Sequence, residues 1–264
     1  MNRGILFYNS TTGNTHAACE KIVRGFRKSD LVLRDCAAPG TVDLSAFDFA
    51  GFATFTDYFG AHARILSLID SLPRQNRKPA FVFNTCGGSS CRTLIDMKKR
   101  LVKKGFRVIT GFTLGAPENY PPYVAKGNTQ ADSPDAENLA AFKSWIEHAD
   151  TLFGGECAAI SPEKLPVGII GKLVPPFPRR ISRFLMGSKR IDETRCTKCG
   201  LCARICAWKA IDMNGYPLFD EKKCFGCWAC YSRCPARAIY TKKYRDRGHY
   251  PAPLPAYIDK MLKP

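Results

Sequence analysis

The sequence predicts an α/β fold, a doubly wound parallel sheet, joined to a second, smaller α+β domain organised by metal. Three observations predict it. Strand-like apolar runs alternate with amphipathic helical patterns through residues 1–157. A hydroxyl-rich turn separates the first strand from the first helix. Eight of the thirteen cysteines fall near the other end, in two copies of one spacing.

Gly4-Ile5-Leu6-Phe7-Tyr8 reads as a buried strand, and Cys19, Ile22, Val23 and Phe26 share one face of the helix after it. Between them lie Ser10, Thr11, Thr12, Gly13, Asn14 and Thr15. Their hydroxyls, with the first helical amides, converge where the helix dipole favours an anion. Further strands are expected at Leu31–Asp35, Phe47–Thr54, Ala80–Asn84 and Arg107–Leu114. Helices are expected at Ala61–Leu72, Cys91–Lys104 and Asp135–Phe153. This alternation implies a parallel sheet covered on both faces. In such a sheet a ligand sits at the carboxyl ends of the strands, at the switch point.

Three loops leave those ends. The first is Ser10–Thr15. The second, Thr54–Gly60, carries Phe55, Thr56, Tyr58 and Phe59, aromatics able to cover a flat ring. The third, Asn84–Cys91, carries Asn84, Thr85, Cys86 and the bare backbone of Gly87-Gly88. A fourth segment, Ala116–Tyr123 and on to Pro134, is long for a compact domain. Its prolines and aromatics favour an ordered cover, with Asn119 and Tyr120 as candidate contacts. The spacing Ser10-x-Thr12-Gly13-x-Thr15 resembles the phosphate loop of the flavodoxins, which implies FMN and a flavodoxin-like sheet with strand order 2-1-3-4-5. No dinucleotide glycine fingerprint is present to suggest FAD.

Cys196, Cys199, Cys202 and Cys206 follow Cys-x2-Cys-x2-Cys-x3-Cys, and Cys224, Cys227, Cys230 and Cys234 repeat it 28 residues later. The spacing is that of two [4Fe-4S] clusters. Zinc needs only four ligands, and disulfides need an oxidising compartment. Residues 190–240 resemble the bacterial two-cluster ferredoxins. The resemblance implies crossed ligation, with Cys196, Cys199, Cys202 and Cys234 on one cluster and Cys224, Cys227, Cys230 and Cys206 on the other. One departure is Ala207, where the second copy has Pro235; altered hydrogen bonding around that cluster is the expected consequence.

Pro117-x-Asn119-Tyr120 and the ending Arg247-Gly248-His249-Tyr250-Pro251-Ala252-Pro253 are similar to segments of a family of fused proteins. That family joins a flavodoxin-like half to a bacterial-ferredoxin half. The resemblance implies FMN and two clusters in one cytoplasmic polypeptide that moves electrons. The domains are then 1–157 for FMN, a packed apolar and basic connector at 158–190, and 191–264 for the clusters and tail.

The formal charge of +17 is unevenly spread. Residues 1–160 hold 19 Lys/Arg and 15 Asp/Glu, a net +4, and residues 161–264 hold 21 and 8, a net +13. Such a field favours acidic redox partner proteins. No nucleic acid is expected, because no recognition helix or basic arm accompanies the charge. No apolar run approaches the roughly 20 residues of a membrane span, and the immediate strand argues against a signal peptide. A cytoplasmic, reducing and anaerobic setting is the expectation. The connector, rich in both Arg and apolar side chains, is expected to pack between the domains, with contact at an anionic membrane surface as its other reading. Lys98, Lys99, Arg100, Lys103 and Lys104 read as the wet face of a helix whose Leu94, Met97 and Leu101 are core.

No catalytic acid or base is evident, so two functional classes stand. One is an electron carrier between protein partners. The other is a flavoenzyme reducing a quinone, a flavin or an iron chelate at the FMN, with the clusters as internal wire. Cys86 and Cys91 flank the third loop as a conceivable redox pair or as plain apolar filling. Cys19, Cys36 and Cys157 read as structural, and His16 lies beside the phosphate loop.

Overall fold

The computed structural model describes residues 1–156, 160–168, 173 and 179–263. Cys157 and the connector prolines Pro175, Pro176 and Pro178 lie outside the described residues. Five parallel strands form the main sheet: β1 (Asn2–Tyr8), β2 (Ser29–Asp35), β3 (Phe49–Asp57), β5 (Lys78–Cys86) and β6 (Phe106–Gly115). Their order is β2-β1-β3-β5-β6, and a two-residue strand, β4 (Gly60–Ala61), pairs antiparallel with the end of β3. Leaving β4 aside, this is the 2-1-3-4-5 order that the resemblance to the flavodoxins implies.

The strands are apolar on both sides because helices cover both. On one face α1 (Asn14–Gly25) and α5 (Ala136–Gly154), which follows the single-turn α4 (Pro121–Val124), bury Leu6, Ile22, Phe49, Phe81, Phe142 and Phe153. On the other α2 (Ala63–Ser71) and α3 (Thr93–Lys103) bury Ile5, Phe52, Ile65, Val82, Leu94, Met97 and Leu101. Cys19 and Cys36 pack with these two cores respectively, as apolar filling. The described start of the connector also packs, with Leu165 and Val167 against the second core and Glu163 N donating to Ile109 O at 2.7 Å.

The small lobe opens with α6 (Arg179–Met186) and β7 (Lys189–Ile191). The hairpin of β8 (Ile211–Asn214) and β9 (Tyr216–Phe219) follows α7 (Leu201–Arg204), and α8 (Ala229–Ser232) precedes β10 (Ile239–Thr241), which pairs with β7. Its core is thin. Ile211, Cys230 and Ile239 form one cluster, and Met186, Trp228 and Tyr231 another. So little apolar burial leaves metal to supply much of the folding energy.

The tail departs from this lobe. Helix α9 (Pro255–Leu262) packs on α1, where Tyr257 and Met261 join the first sheet-face core. Its isolated Tyr-x-x-x-Met spacing spans too short a helix to reveal, from sequence, which lobe it would cover.

Candidate functional site

The loops leaving β1, β3, β5 and β6 enclose one cleft of about 480 Å³. Ser10, Thr11, Thr12, Asn14 and Thr15 form one end of it. No side chain caps α1, whose first intrahelical bond runs from Ala17 N to Gly13 O. The amides of Asn14, Thr15 and His16 therefore lack intrahelical acceptors, as an anion site requires. The His16 ring lies tilted against Tyr8 at 4.9 Å, with its Nε2 3.9 Å from Glu20.

Phe55, Thr56, Tyr58 and Phe59 line the cleft from β3, and Thr85, Cys86, Gly87 and Gly88 from β5. Asn119 and Tyr120 close it from the segment after β6. Tyr58 and Phe59 form the tip of the β3–β4 hairpin with φ of 50° and 73°. Such turns normally take Asn-Gly, so two aromatics there are strained, and the strain sits at the cleft rim.

Two expected contacts do not reach the cleft. Gly13 holds φ 109°, and a Cβ there would lie 2.7 Å from Pro253 of the tail. It permits the loop's shape but does not line the cavity. Asn84 is buried beneath, donating to Thr56 Oγ1 at 3.0 Å and accepting from Thr113 Oγ1 at 2.8 Å. It positions Thr56 and so acts at one remove. Gly87 is bare for a reason other than ligand approach, since a Cβ would meet Glu118 Oε2 at 2.6 Å.

The phosphate-type loop is held from a distance. Asn119 Nδ2 donates to Thr12 Oγ1 at 2.7 Å, and Asn14 Nδ2 donates to Pro117 O at 3.0 Å. Tyr250 Oη donates to Asn14 Oδ1 at 3.0 Å, and Tyr257 Oη to Asn14 O at 3.1 Å. The two segments that carried the family resemblance, Pro117–Tyr120 and Arg247–Pro253, thus converge on one asparagine. Burial, then the charges of Cys91 and Glu118, push the Cys86 thiol up to about 12. At neutral pH it stays protonated, which argues against Cys86 as a nucleophile.

The far wall of the cleft belongs to the small lobe. Leu185, Cys227 and Trp228 line it. An aromatic seam fixes this approach: His62 at the start of α2 lies 5.0 Å from Phe55 and 5.0 Å from Phe225, which stacks on Trp208 at 4.5 Å. Trp228 also contacts Tyr120 edge-on at 6.3 Å.

The cysteines fall into the crossed sets. Cys196, Cys199, Cys202 and Cys234 line one concavity. Cys230 lies among Cys224, Cys227 and Cys206, whose charges act on it. Burial pushes the Cys230 thiol up, so holding four thiolates together there needs compensating cationic iron. Among the described residues no three His, Cys, Asp or Glu side chains converge as ligands of a single ion, whereas a cubane binds one thiolate at each of four separate irons. Ala210 N and Ala238 N donate to Cys206 and Cys234 Sγ, both at 3.3 Å. The Ala207/Pro235 difference therefore leaves the equivalent sulfur bonds alike, contrary to expectation.

Residues 195–238 match the family model described as a 4Fe-4S dicluster domain. The cysteine-rich segment holds two [4Fe-4S] clusters. No curated protein matches the chain significantly. Among solved structures, a flavodoxin from the domain Archaea is 18% identical, with TM-score 0.43, over 58% of this chain and 99% of that one. A Fusobacterium nucleatum flavodoxin bound to flavin mononucleotide is 19% identical, with TM-score 0.43, over 58% and 99%. Rubredoxin oxygen:oxidoreductase from Desulfovibrio gigas is 15% identical, with TM-score 0.46, over 60% of this chain and 38% of that one. At these values the likeness carries no weight for function, and the flavodoxin-like fold rests on the strand order itself.

Proposed function

We propose that this protein is an electron-transfer protein in which FMN occupies the cleft and exchanges electrons with the dicluster domain of the same chain. The observation that carries this reading is that Cys227, a cluster ligand, and the Ser10–Thr15 loop line one cavity. Ser10, Thr11, Thr12, Asn14 and Thr15, with the first amides of α1, would hold the phosphate; Phe55, Tyr58, Phe59, Thr85–Gly88 and Tyr120 would surround the ring system. FMN supplies the ability to take electrons singly or in pairs, which the clusters pass one at a time. The chain contributes the path. The cluster of Cys206, Cys224, Cys227 and Cys230 is proximal to the cleft, and that of Cys196, Cys199, Cys202 and Cys234 is distal.

The distal edge is the outer terminal. Cys199 is exposed, with the Arg204 and Lys198 side chains nearby and Met213 and Leu218 exposed on the adjoining hairpin. An acidic redox protein is the partner this edge fits. Among the described residues no helix is long and apolar enough to cross a membrane.

Anaerobic stopped-flow reduction, following flavin and cluster absorbance separately, tests the proposal. Flavin–cluster transfer at a rate independent of protein concentration is expected. A rate that scales with concentration would mean that the two halves do not communicate within a chain. Turnover of a quinone, a flavin or an iron chelate at the intramolecular rate would instead favour the flavoenzyme reading.

A further inference from the structure

The two clusters have the same ligand spacing but not the same electrostatic surroundings. In the proximal set, Cys224 Sγ accepts from Gly226 N at 3.3 Å and from the ammonium of Lys189 at 2.7 Å. Lys189 is half-buried on β7, its backbone N–H donating to Glu221 Oε1 at 3.0 Å. The Cys230 thiol also lies within its field. The distal set has a different arrangement. Beside the exposed Cys199, Arg204 donates at 2.7 Å to the Cys199 carbonyl, and its charge reaches the sulfur without the direct contact that Lys189 makes with Cys224. Next to Cys196, the counterpart of Cys224, Arg195 pairs with Asp192 and Asp246, so its charge is matched by carboxylates. Besides the Cys224 and Cys230 thiols, the Glu221 carboxylate acts on Lys189.

Reduction adds one negative charge to a cluster. A cation in direct contact with a ligand sulfur stabilises the reduced form more than the oxidised one, and hydrogen bonds to the sulfurs act in the same direction. Withdrawal from water disfavours the extra charge. The proximal cluster suffers that effect more, since Cys230 is buried while Cys199 is exposed. The geometry points to Lys189 as the potential-setting residue of the proximal cluster. Its ammonium offsets the burial that adjacency to the cleft imposes. An electron entering at the exposed distal edge then finds the inner cluster a competent acceptor, and the chain moves electrons inward, from an external donor to the cleft. The donor is oxidised by one electron per transfer, and two transfers reduce one FMN with uptake of protons from water. This direction of flow rests on the proposed function; the tuning role of Lys189 rests only on the cluster ligation.

The test is potentiometric titration of the full chain under anaerobic conditions, followed by electron paramagnetic resonance, with iron and sulfide measured on the same samples. In Lys189→Met one of the two cluster midpoints should fall and the other stay in place, while Lys189→Arg should keep most of the wild-type value. Lys189→Gln retains a hydrogen-bond donor without the charge, and its midpoint should also fall. Both midpoints unmoved in an iron-replete Met or Gln variant would overturn the inference. Loss of proximal iron in both variants would make Lys189 an assembly residue and overturn it equally. Wild-type protein with no cluster signal at all would instead overturn the ligation on which it rests.

Discussion

The first and second cysteine motifs are the same device in two settings. Their backbones repeat: the left-handed positions Lys198, Gly200 and Lys209 recur 28 residues on as Gly226, Trp228 and Arg237. The bonds from Ala210 N and Ala238 N to the fourth sulfur recur at the same length. The aromatics differ. Thr197, Gly200 and Ala203 of the first motif are replaced by Phe225, Trp228 and Tyr231 in the second. Each replacement packs on something outside the motif: Phe225 on His62, Trp228 on Tyr120, and Tyr231 on His249 of the tail. Ligand spacing decides that a cluster forms. The aromatics beside the ligands decide which cluster faces the cleft of the sheet lobe.

Removal of one ligand from each motif separates the two settings most sharply. Cys199→Ala and Cys227→Ala should each lower iron from about eight toward about four per chain. Only Cys227→Ala should also abolish fast electron exchange between flavin and the remaining cluster, because it removes the proximal one. Iron analysis with stopped-flow absorbance checks this, and equal kinetics in the two variants would erase the proximal–distal distinction.

A milder disturbance targets Trp228, which is 3% exposed and holds φ 61°, where the first motif has Gly200. Trp228→Ala should destabilise the small lobe by about 3–5 kcal/mol through the cavity it leaves. Trp228→Gly leaves a similar cavity but relieves a left-handed backbone worth about 1–2 kcal/mol. The glycine variant should therefore be the more stable of the two in anaerobic urea unfolding. The reverse order would show that position 228 carries no backbone strain.

The smallest effect concerns the tail contact on Tyr231. The His249 ring stacks on Tyr231 at 4.1 Å, and its Nδ1–H donates to Tyr231 O at 3.2 Å, which needs the ring in the matching tautomer. Burial holds its pKa below the usual histidine value, with Arg237 adding to the shift and Asp246 and the Tyr231 carbonyl opposing it. Because the folded value lies below the unfolded one, this stabilisation is complete above about pH 6.5. It is lost as pH falls through the folded value. Amide protection of the Tyr250–Met261 segment should decline over that acid window, and His249→Phe should remove the histidine-dependent part of the decline. Identical pH profiles in the two proteins would exclude His249 as its source.

Much of the cleft was legible because its parts are local. Ser10–Thr15 follows a strand and opens a helix, and hydroxyls in that setting have few other uses. Tyr58, Phe59, Gly87 and Gly88 sit in loops whose meeting place follows from strand order. The same reasoning places Asn84 and Gly13 at the cleft. Whether a loop residue points into a cavity or beneath it depends on neighbours distant in sequence, here Thr113 and Pro253. Trp228 and Cys227 were missed as cleft residues although a signal existed: at 28-residue offset, aromatics replace small residues on one motif only.

Local periodicity, turn chemistry and ligand spacing depend on residues within a few positions of one another, so the strand–helix alternation, the hydroxyl-rich loop and the two four-cysteine motifs were legible in the chain itself. Tertiary structure decided which cluster is proximal, that Lys189 reaches Cys224, and that the last helix returns to brace Asn14. Those outcomes depend on the relative placement of lobes joined by a long connector. Contacts such as Asn14–Tyr257, 243 residues apart, leave no periodic trace in the chain that makes them.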